Sequence, residues 1–542
     1  MRNIFPMRCD WLIMGMVVVF CMFIGERNAA AAAEKIIFIA HDNRPISLQQ
    51  TAEVMEQTGC RLLMPSEELL SRGANQPGQP DELWTWLEAQ AGSAQAAVLS
   101  TDSLLYGGLI ASRRHEIPQE TLQARVERFQ NLHARYPNLK LYLFGSLMRT
   151  PKSGLYSGKE EPAYYDEYGA DIFQYTALED KADLGKLSRS EQAHMQELKA
   201  SIPAEVLEDW LGRRAKNLSA TKQLMDMVTE GVAETFVVGR DDNAPLCRTH
   251  QENRELQAYA AKKNIPANKF RSLTGIDEFN LLLFARAIND LRGEIPFVHV
   301  IYNEGVGADT IPAYSDEHIG TSIRDSLGLA GGMMVPGAER ADFVLLVNTD
   351  PRGLTGESVQ IVPSSAPLVN DGRERRGTQH FFRLVQENIG KGYPVGIADI
   401  AFSNGSDNAL MEKMRKAGLL EKLTAYSGWN TATNSTGFAL ATGILTPYMT
   451  DAGIKRLLTR RYLDDWGYQA NVRTTIVRKL LAEGHLEACY QLDSFRPEAE
   501  AQATKYLREF AKEKLSSFAF EGLQNLQVRL PWNRTFECAI FF

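Results

Sequence analysis

Between residues 35 and 426 the chain returns ten times to a short apolar run followed by a longer stretch with apolar positions at helical spacing. No other feature constrains the fold as much. Ile36–Ala40 (IIFIA), Phe236–Gly239 (FVVG), Phe297–Tyr302 (FVHVIY) and Phe343–Asn348 (FVLLVN) are largely apolar at consecutive positions. A strand with one wet face would alternate, so these read as parallel strands covered by helices on both faces. The expected strands are Lys35–Ala40, Arg61–Met64, Ala96–Ser100, Lys140–Phe144, Thr235–Gly239, Phe270–Leu273, Phe297–Tyr302, Phe343–Asn348, Val395–Ile400 and Leu423–Tyr426. Leu122–Tyr136 and Glu278–Leu291 are examples of the amphipathic helices between them. The fold class expected is α/β, with parallel-sheet βα repeats in two Rossmann-like halves and helical insertions. A (β/α)8-like barrel with extra strands is the alternative.

The pattern divides the chain. Residues 34–245 form an N-terminal α/β half, interrupted at 151–232 by a stretch with no strand-like run, read as a helical insertion. Residues 246–450 form a second α/β half, and 451–542 a helical extension. Its last segment, Val528–Phe542, is too apolar to hang free and is expected to pack back on the body. Ahead of all this, Arg2 and Arg8 precede an apolar stretch, Trp11–Ile24, and then five alanines. That is the layout of a signal peptide over residues 1–33. Its apolar run is shorter than the roughly 20 residues a spanning helix needs. The expectation is an exported protein, periplasmic or extracellular, with no membrane association after cleavage.

Composition excludes some chemistries. Lys and Arg number 59 against 67 Asp and Glu, a net charge of −8, which argues against nucleic acid as a partner. Without the leader, Cys60, Cys247, Cys489 and Cys538 remain, none in a CxxC spacing. A structural zinc site is therefore not expected, while one disulfide or four buried thiols both fit. The chain has no GxSxG, HExxH, GxGxxG after a strand, or GxxxxGK[ST]. His41 reads as structural rather than as a base.

Ligands of parallel α/β proteins lie beyond the carboxyl ends of the strands. There the chain carries Asp42 and Arg44, Asp102, Tyr106 and Arg113, Arg149, Asp241-Asp242, Asp399, Asn404 and Asp407, and Trp429, Asn430 and Asn434. Asp277 also falls at a strand end, where it, Asp42 and Asp102 could equally cap a following helix. Asp241-Asp242 is the sharpest feature, because adjacent carboxylates repel and one can hold its proton while the other stays charged. Glycoside hydrolysis needs that division of labour. The catalytic candidates are Asp241, Asp242, Asp102 and Asp399. Asp42, Arg44, Tyr106, Arg113, Arg149, Asn404, Asp407, Trp429, Asn430 and Asn434 are the substrate-binding candidates.

Several of these segments resemble a bacterial family catalogued as domain of unknown function 4127. The resemblance rests on HDNRP, STDSLLYGGLIASR, LMRT, GRDDNAPL, TGIDE, ADIAFSNGSD, YSGWNTATNSTG, RYLDDWGYQANVR and PWNRTFE, which span about residues 36–537. The family more usually reads Leu-Asp-Asp-Arg-Pro where this chain has His41-Asp42-Asn43-Arg44-Pro45, which weakens any catalytic role at Asn43. The resemblance implies one full-length unit and no established activity.

The leading expectation from the residues is an exported hydrolase acting on carbohydrate, a glycosidase with a glycan or small-molecule substrate and no cofactor. The alternatives are a two-lobed, non-catalytic binding protein for a small polar ligand, and a divalent-metal-dependent hydrolase of a non-sugar substrate. Oligomeric state is not legible in the sequence.

Overall fold

All ten apolar runs form strands, and most of the side chains they carry are buried within the sheets. β1 (Lys35–Ile39), β2 (Arg61–Leu63), β3 (Ala96–Ser100), β4 (Lys140–Leu147), β5 (Thr235–Arg240) and β6 (Phe270–Thr274) make one parallel sheet in the order β2-β1-β3-β4-β5-β6. From Ile36 to Ile39 and from Ala96 to Leu99 the side chains are fully buried. The next strands are β7 (Phe297–Tyr302), β8 (Met333–Met334), β9 (Phe343–Asn348), β10 (Gly356–Glu357), β11 (Val395–Asp399), β12 (Phe402–Ser403) and β13 (Ala425–Ser427). The second sheet runs β13-β11-β9-β7-β8, again wholly parallel, while β10 and β12 pair separately. Counted from its own first strand, the second sheet repeats the second-first-third-fourth-fifth order of the first. Both are therefore open, doubly wound, Rossmann-like sheets, and the barrel alternative does not apply. Phe270–Thr274, counted in the second half from the sequence, pairs with β5 and forms the edge of the first sheet. The division between the sheets thus falls after β6, later than residue 245.

This computed structural model describes residues 33–152, 160–359, 366–518 and 522–542. The expected leader, residues 1–32 above all, lies outside them. No helix among the described residues is long and apolar enough to cross a membrane.

A pair of helices joins the halves. Phe279–Arg292 packs on β3 and β4, Ala432–Leu445 packs on β9, β11 and β13, and the two pack against each other. All but Thr442 of the second helix is buried, and its small residues allow the close approach. One apolar core runs from the first sheet through this pair to Val298, Phe343 and Leu345 of the second. Residues 35–542 accordingly form one compact unit.

Where an insertion is expected, three helices, Tyr165–Asp183, Arg189–Ser201 and Ala204–Thr229, stand between β4 and β5. Beyond residue 450, helix Asp451–Arg461 runs into a π-helical stretch, Tyr462–Val472, and then into helix Arg473–Ala482. The apolar tail packs back as expected. β14 (Gln527–Arg529) and β15 (Ala539–Phe541) form an antiparallel pair, with Val528, Leu530, Cys538 and Ile540 buried. Cys60, Cys247, Cys489 and Cys538 are all free, buried thiols.

Candidate functional site

The carboxyl ends of β1, β4, β5 and β6 open into a cleft of about 500 Å³. Asp42 and Arg44 follow β1, Arg149 follows β4, Asp241 and Asp242 follow β5, and Asp277 follows β6; all six line the cleft, and Arg113 stands one layer behind them. Glu357 of β10, Asn404, Asn430, Tyr314 and Arg473 form the facing wall together with Trp532, Arg534 and Phe536 of the tail.

Ion pairs fix the floor. Arg44 donates to Asp42 at 2.9 Å and to Asp277 at 2.6 Å. Arg113, buried, donates to Asp241 at 2.7 Å and Glu160 at 2.8 Å. Arg149 donates to Asp242 and to Glu161, both at 2.6 Å. Arg534 closes the set by donating to Glu160 at 2.7 Å. Charged groups this well buried persist only when paired in this way. The Gly107-Gly108 turn explains how Arg113 arrives. Gly107, with φ of 94°, caps helix Thr101–Tyr106, and Gly108, with φ of 130°, starts helix Leu109–Arg114 at once. A Cβ on Gly108 would lie 2.9 Å from the His41 carbonyl oxygen, so only glycine passes there.

The acids do not titrate alike. Burial, reinforced by Asp241, pushes the Asp242 carboxyl up to about 7, against the pull of Arg149 and Arg113. A third of its side chain surface remains open to the cleft, so it can exchange a proton. Burial likewise raises Asp277 to about 6 despite Arg44. Burial works the same way on Glu160, but Arg149, Arg534 and Arg113 outweigh it and hold that carboxyl well below the usual range. Backbone geometry marks the same place. Asp242, Tyr314, Asn404 and Asn430 are four of the seven non-glycine residues with positive φ among the described residues, and all four line the cleft. Such conformations cost roughly 1–3 kcal/mol each and concentrate at functional sites.

Seven of the residues singled out from the sequence line this cleft: Asp42, Arg44, Arg149, Asp241, Asp242, Asn404 and Asn430. Arg113 stands directly behind, through Asp241. Asn434 is buried with its amide 3.5 Å from Asp277. The others do not reach the cleft. Asp102 is sealed under β4, accepting from the Ser146 hydroxyl at 2.7 Å beside His41. Asp399 is fully buried in the second half, accepting from Asn348 and the Tyr426 hydroxyl, each at 2.8 Å. Asp407 caps helix Asn408–Lys416. Tyr106 is buried, stacked on His115 at 4.8 Å, and Trp429 is buried against Phe536. Asp277 caps nothing, since its carboxylate goes to Arg44. Glu160, Tyr314, Glu357, Arg473, Trp532 and Arg534 were not anticipated. They come from loops, the short β10, the start of helix Arg473–Ala482 and the tail, where no expected strand end announces them.

Among the described residues no group of three His, Cys, Asp or Glu side chains is arranged to hold a metal ion. The cleft's acids are spread along arginines instead of converging on one point.

Fold and cleft together define a doubly wound, two-sheet α/β protein whose site is an acidic pocket laced with arginine. The chain belongs to the family described as Protein of unknown function (DUF4127), whose profile matches residues 36–541. No curated protein sequence matches it.

Proposed function

We propose that the protein is a hydrolase acting on carbohydrate, a glycosidase in which Asp242 is the proton donor. The observation that carries this reading is the pairing at the end of β5. Asp242 holds its proton up to about pH 7 in a cleft open to a ligand, while its neighbour Asp241 is bound to Arg113. An acid of that kind can protonate a leaving glycosidic oxygen at neutral pH, and a charged carboxylate nearby stabilises the positive charge that develops on the sugar ring. Asp241, which keeps part of its side chain open to the cleft, is the candidate for that second role. Asn404, Asn430 and the Tyr314 hydroxyl supply the donors and acceptors that a polyhydroxylated ligand requires. The joining helix pair supports catalysis over capture, because a fixed cleft holds reacting groups in place. The leader-like start would deliver the enzyme to the periplasm or the cell exterior, where it would meet glycans or their fragments.

The test is turnover of a panel of aryl glycosides by the full chain between pH 5 and 8. Asp242→Asn should cost about 100-fold or more. Asparagine accepts a left-handed backbone at least as readily as aspartate, so the fold should survive. Unchanged turnover in that variant would sink the assignment. A binding role without turnover is the second reading, favoured by how fully arginines already neutralise the floor; ligand binding with no hydrolysis of any glycoside would select it.

A further inference from the structure

The arginines of the cleft are not equivalent. Arg44 has Asp277 at 2.6 Å, Arg149 has Asp242 at 2.6 Å and Arg534 has Glu160 at 2.7 Å. Arg473 also lines the cleft, yet no carboxylate among the described residues forms an ion pair with it. Its Nη1 donates to the Gln469 amide oxygen at 3.0 Å, and its guanidinium lies over the Phe536 ring at 4.7 Å. Its Nε is buried and donates to no described acceptor. The acids nearest in effect are committed elsewhere. Glu357 accepts from the Tyr314 hydroxyl at 2.9 Å and the Asn404 amide at 2.8 Å, while Glu537 is paired with Arg534. Burial lowers the affinity of Arg473 for its proton, as expected for a partly desolvated cation without a counter-ion.

The backbone places this arginine deliberately. It begins the α-helix that follows the π-helical stretch Tyr462–Val472. A π turn carries an extra residue, which rotates everything beyond it about the helix axis, and such turns recur at functional sites. Two hydrogen bonds lock the stretch: Asp465 accepts from the Gly428 amide at 2.7 Å, and Gln469 donates to the Phe536 carbonyl at 2.8 Å. Gln469 and Phe536 are also the two groups that hold the guanidinium. One locked unit therefore presents to the cleft a cation that no described carboxylate pairs.

We propose that Arg473 binds a carboxylate of the substrate, so that the cleft selects an acidic sugar of the hexuronic acid type over its neutral parent. The proposal rests on the carbohydrate reading above. A guanidinium offers paired N–H donors that match a carboxylate, and an apolar ring behind it strengthens the interaction.

The experiment is equilibrium binding of D-glucuronate, D-galacturonate and their neutral parents D-glucose and D-galactose to the full chain, read by calorimetry at fixed ionic strength. At least one uronate should bind about tenfold or more tightly than its parent sugar. Arg473→Gln should bring the pair to within about twofold, and Arg473→Lys should retain part of the preference, since a point charge without the fork keeps only the Coulombic share. Equal affinities, a preference for the neutral sugars, no binding of any of the four, or a preference surviving in Arg473→Gln would each overturn the proposal. The wild-type comparison needs no variant, so a misfolded Arg473→Gln leaves the proposal exposed to refutation. Turnover is read separately. A uronate preference in a protein that cleaves nothing supports Arg473 and removes the glycosidase. Cleavage of neutral glycosides without any uronate preference does the reverse.

Discussion

The two halves of the molecule use one strand order and put acids at the same kind of position, yet, Asp102 apart, they treat those acids in opposite ways. In the first sheet Asp241 and Asp242 keep side-chain surface open to a cleft, with Asp42 and Asp277 buried in its floor. In the second, Asn348, Asp399 and Asp407 close on one another beneath the π-helical stretch. Asp399 accepts from Asn348, Tyr426 and the Asp407 backbone, each at 2.8 Å, and Arg375 reaches Asp407 at 2.9 Å. The Asp465 carbonyl accepts from the Ser406 amide at 3.1 Å above them. Burial, with help from Asp407, raises Asp399 to about 6, and burial raises Asp465 to about 7. Those values resemble Asp242, so a displaced pKa does not distinguish a reagent from a structural acid. Solvent access does. A sealed acid has no route for a proton or a substrate, and its hydrogen bonds serve the fold.

The comparison breaks most readily at its two central acids. Asp242→Asn should lose about 100-fold or more in turnover with its melting temperature nearly unchanged. Asp399→Asn should do the opposite, because an amide must turn an N–H toward one of three donors. That costs about 1–3 kcal/mol, read as a drop of several degrees in Tm, with kcat per folded molecule preserved. A folded Asp399→Asn protein with abolished turnover would erase the distinction.

The pH profile comes next in size. With Asp242 as the acid, kcat/KM should fall about tenfold per pH unit above 7. Stability should move with it. Asp242, Asp399 and Asp465 bind protons more tightly folded than unfolded, so the native state gains protons relative to the unfolded chain. The stability these three acids contribute is greatest near pH 4 and declines as pH rises through the folded values of about 6 and about 7. Thermal melts from pH 4 to 8 read this directly. In Asp242→Asn the decline should shrink. An unaltered curve would mean that Asp242 ionises like an exposed acid.

Arg149 sharpens the contrast within the cleft. Its guanidinium pulls the Asp242 carboxyl down against burial. Removing the charge in Arg149→Met should move the alkaline limb of the rate profile to higher pH, and a shift downward would contradict the electrostatics described here. The smallest effect belongs to the wall. Trp532→Phe loses the indole donation to Asn43 at 2.8 Å, worth about 0.5–1.5 kcal/mol in a melt, and leaves the alkaline limb in place.

Much of the fold was legible because continuous apolar runs leave little alternative to a strand covered on both faces. The ten strands and the parallel α/β class followed from that pattern alone. β8 was missed because Met333 and Met334 are too few and too exposed to make a pattern. The site was legible to the extent that strand ends predict it. Asp42, Arg149, Asp241 and Asp242 were found this way, and Asp102 and Asp399 were included by the same rule. Position along a strand says which end a side chain occupies and nothing about what later covers it. Residues 462–472, which seal Asp399, and residues 532–536, which wall the cleft, come from the far end of the sequence. For the same reason Arg473, Trp532 and Arg534, though they lie in segments that carry the family resemblance, could not be placed at the site from strand ends.

The bond between Trp532 and Asn43 spans 489 positions of sequence. A ribosome has made the whole first sheet, with every acid of the cleft floor, long before the residues that wall it emerge. Because contacts between such distant segments form slowly, the pocket is among the last parts of the molecule to assemble. A chain that is nicked, stalled or only half refolded would carry the acids of the first sheet without a chamber to use them in. Any activity the protein has is thereby tied to completion of its folding, and recovery of ligand binding during refolding should lag behind recovery of helical signal.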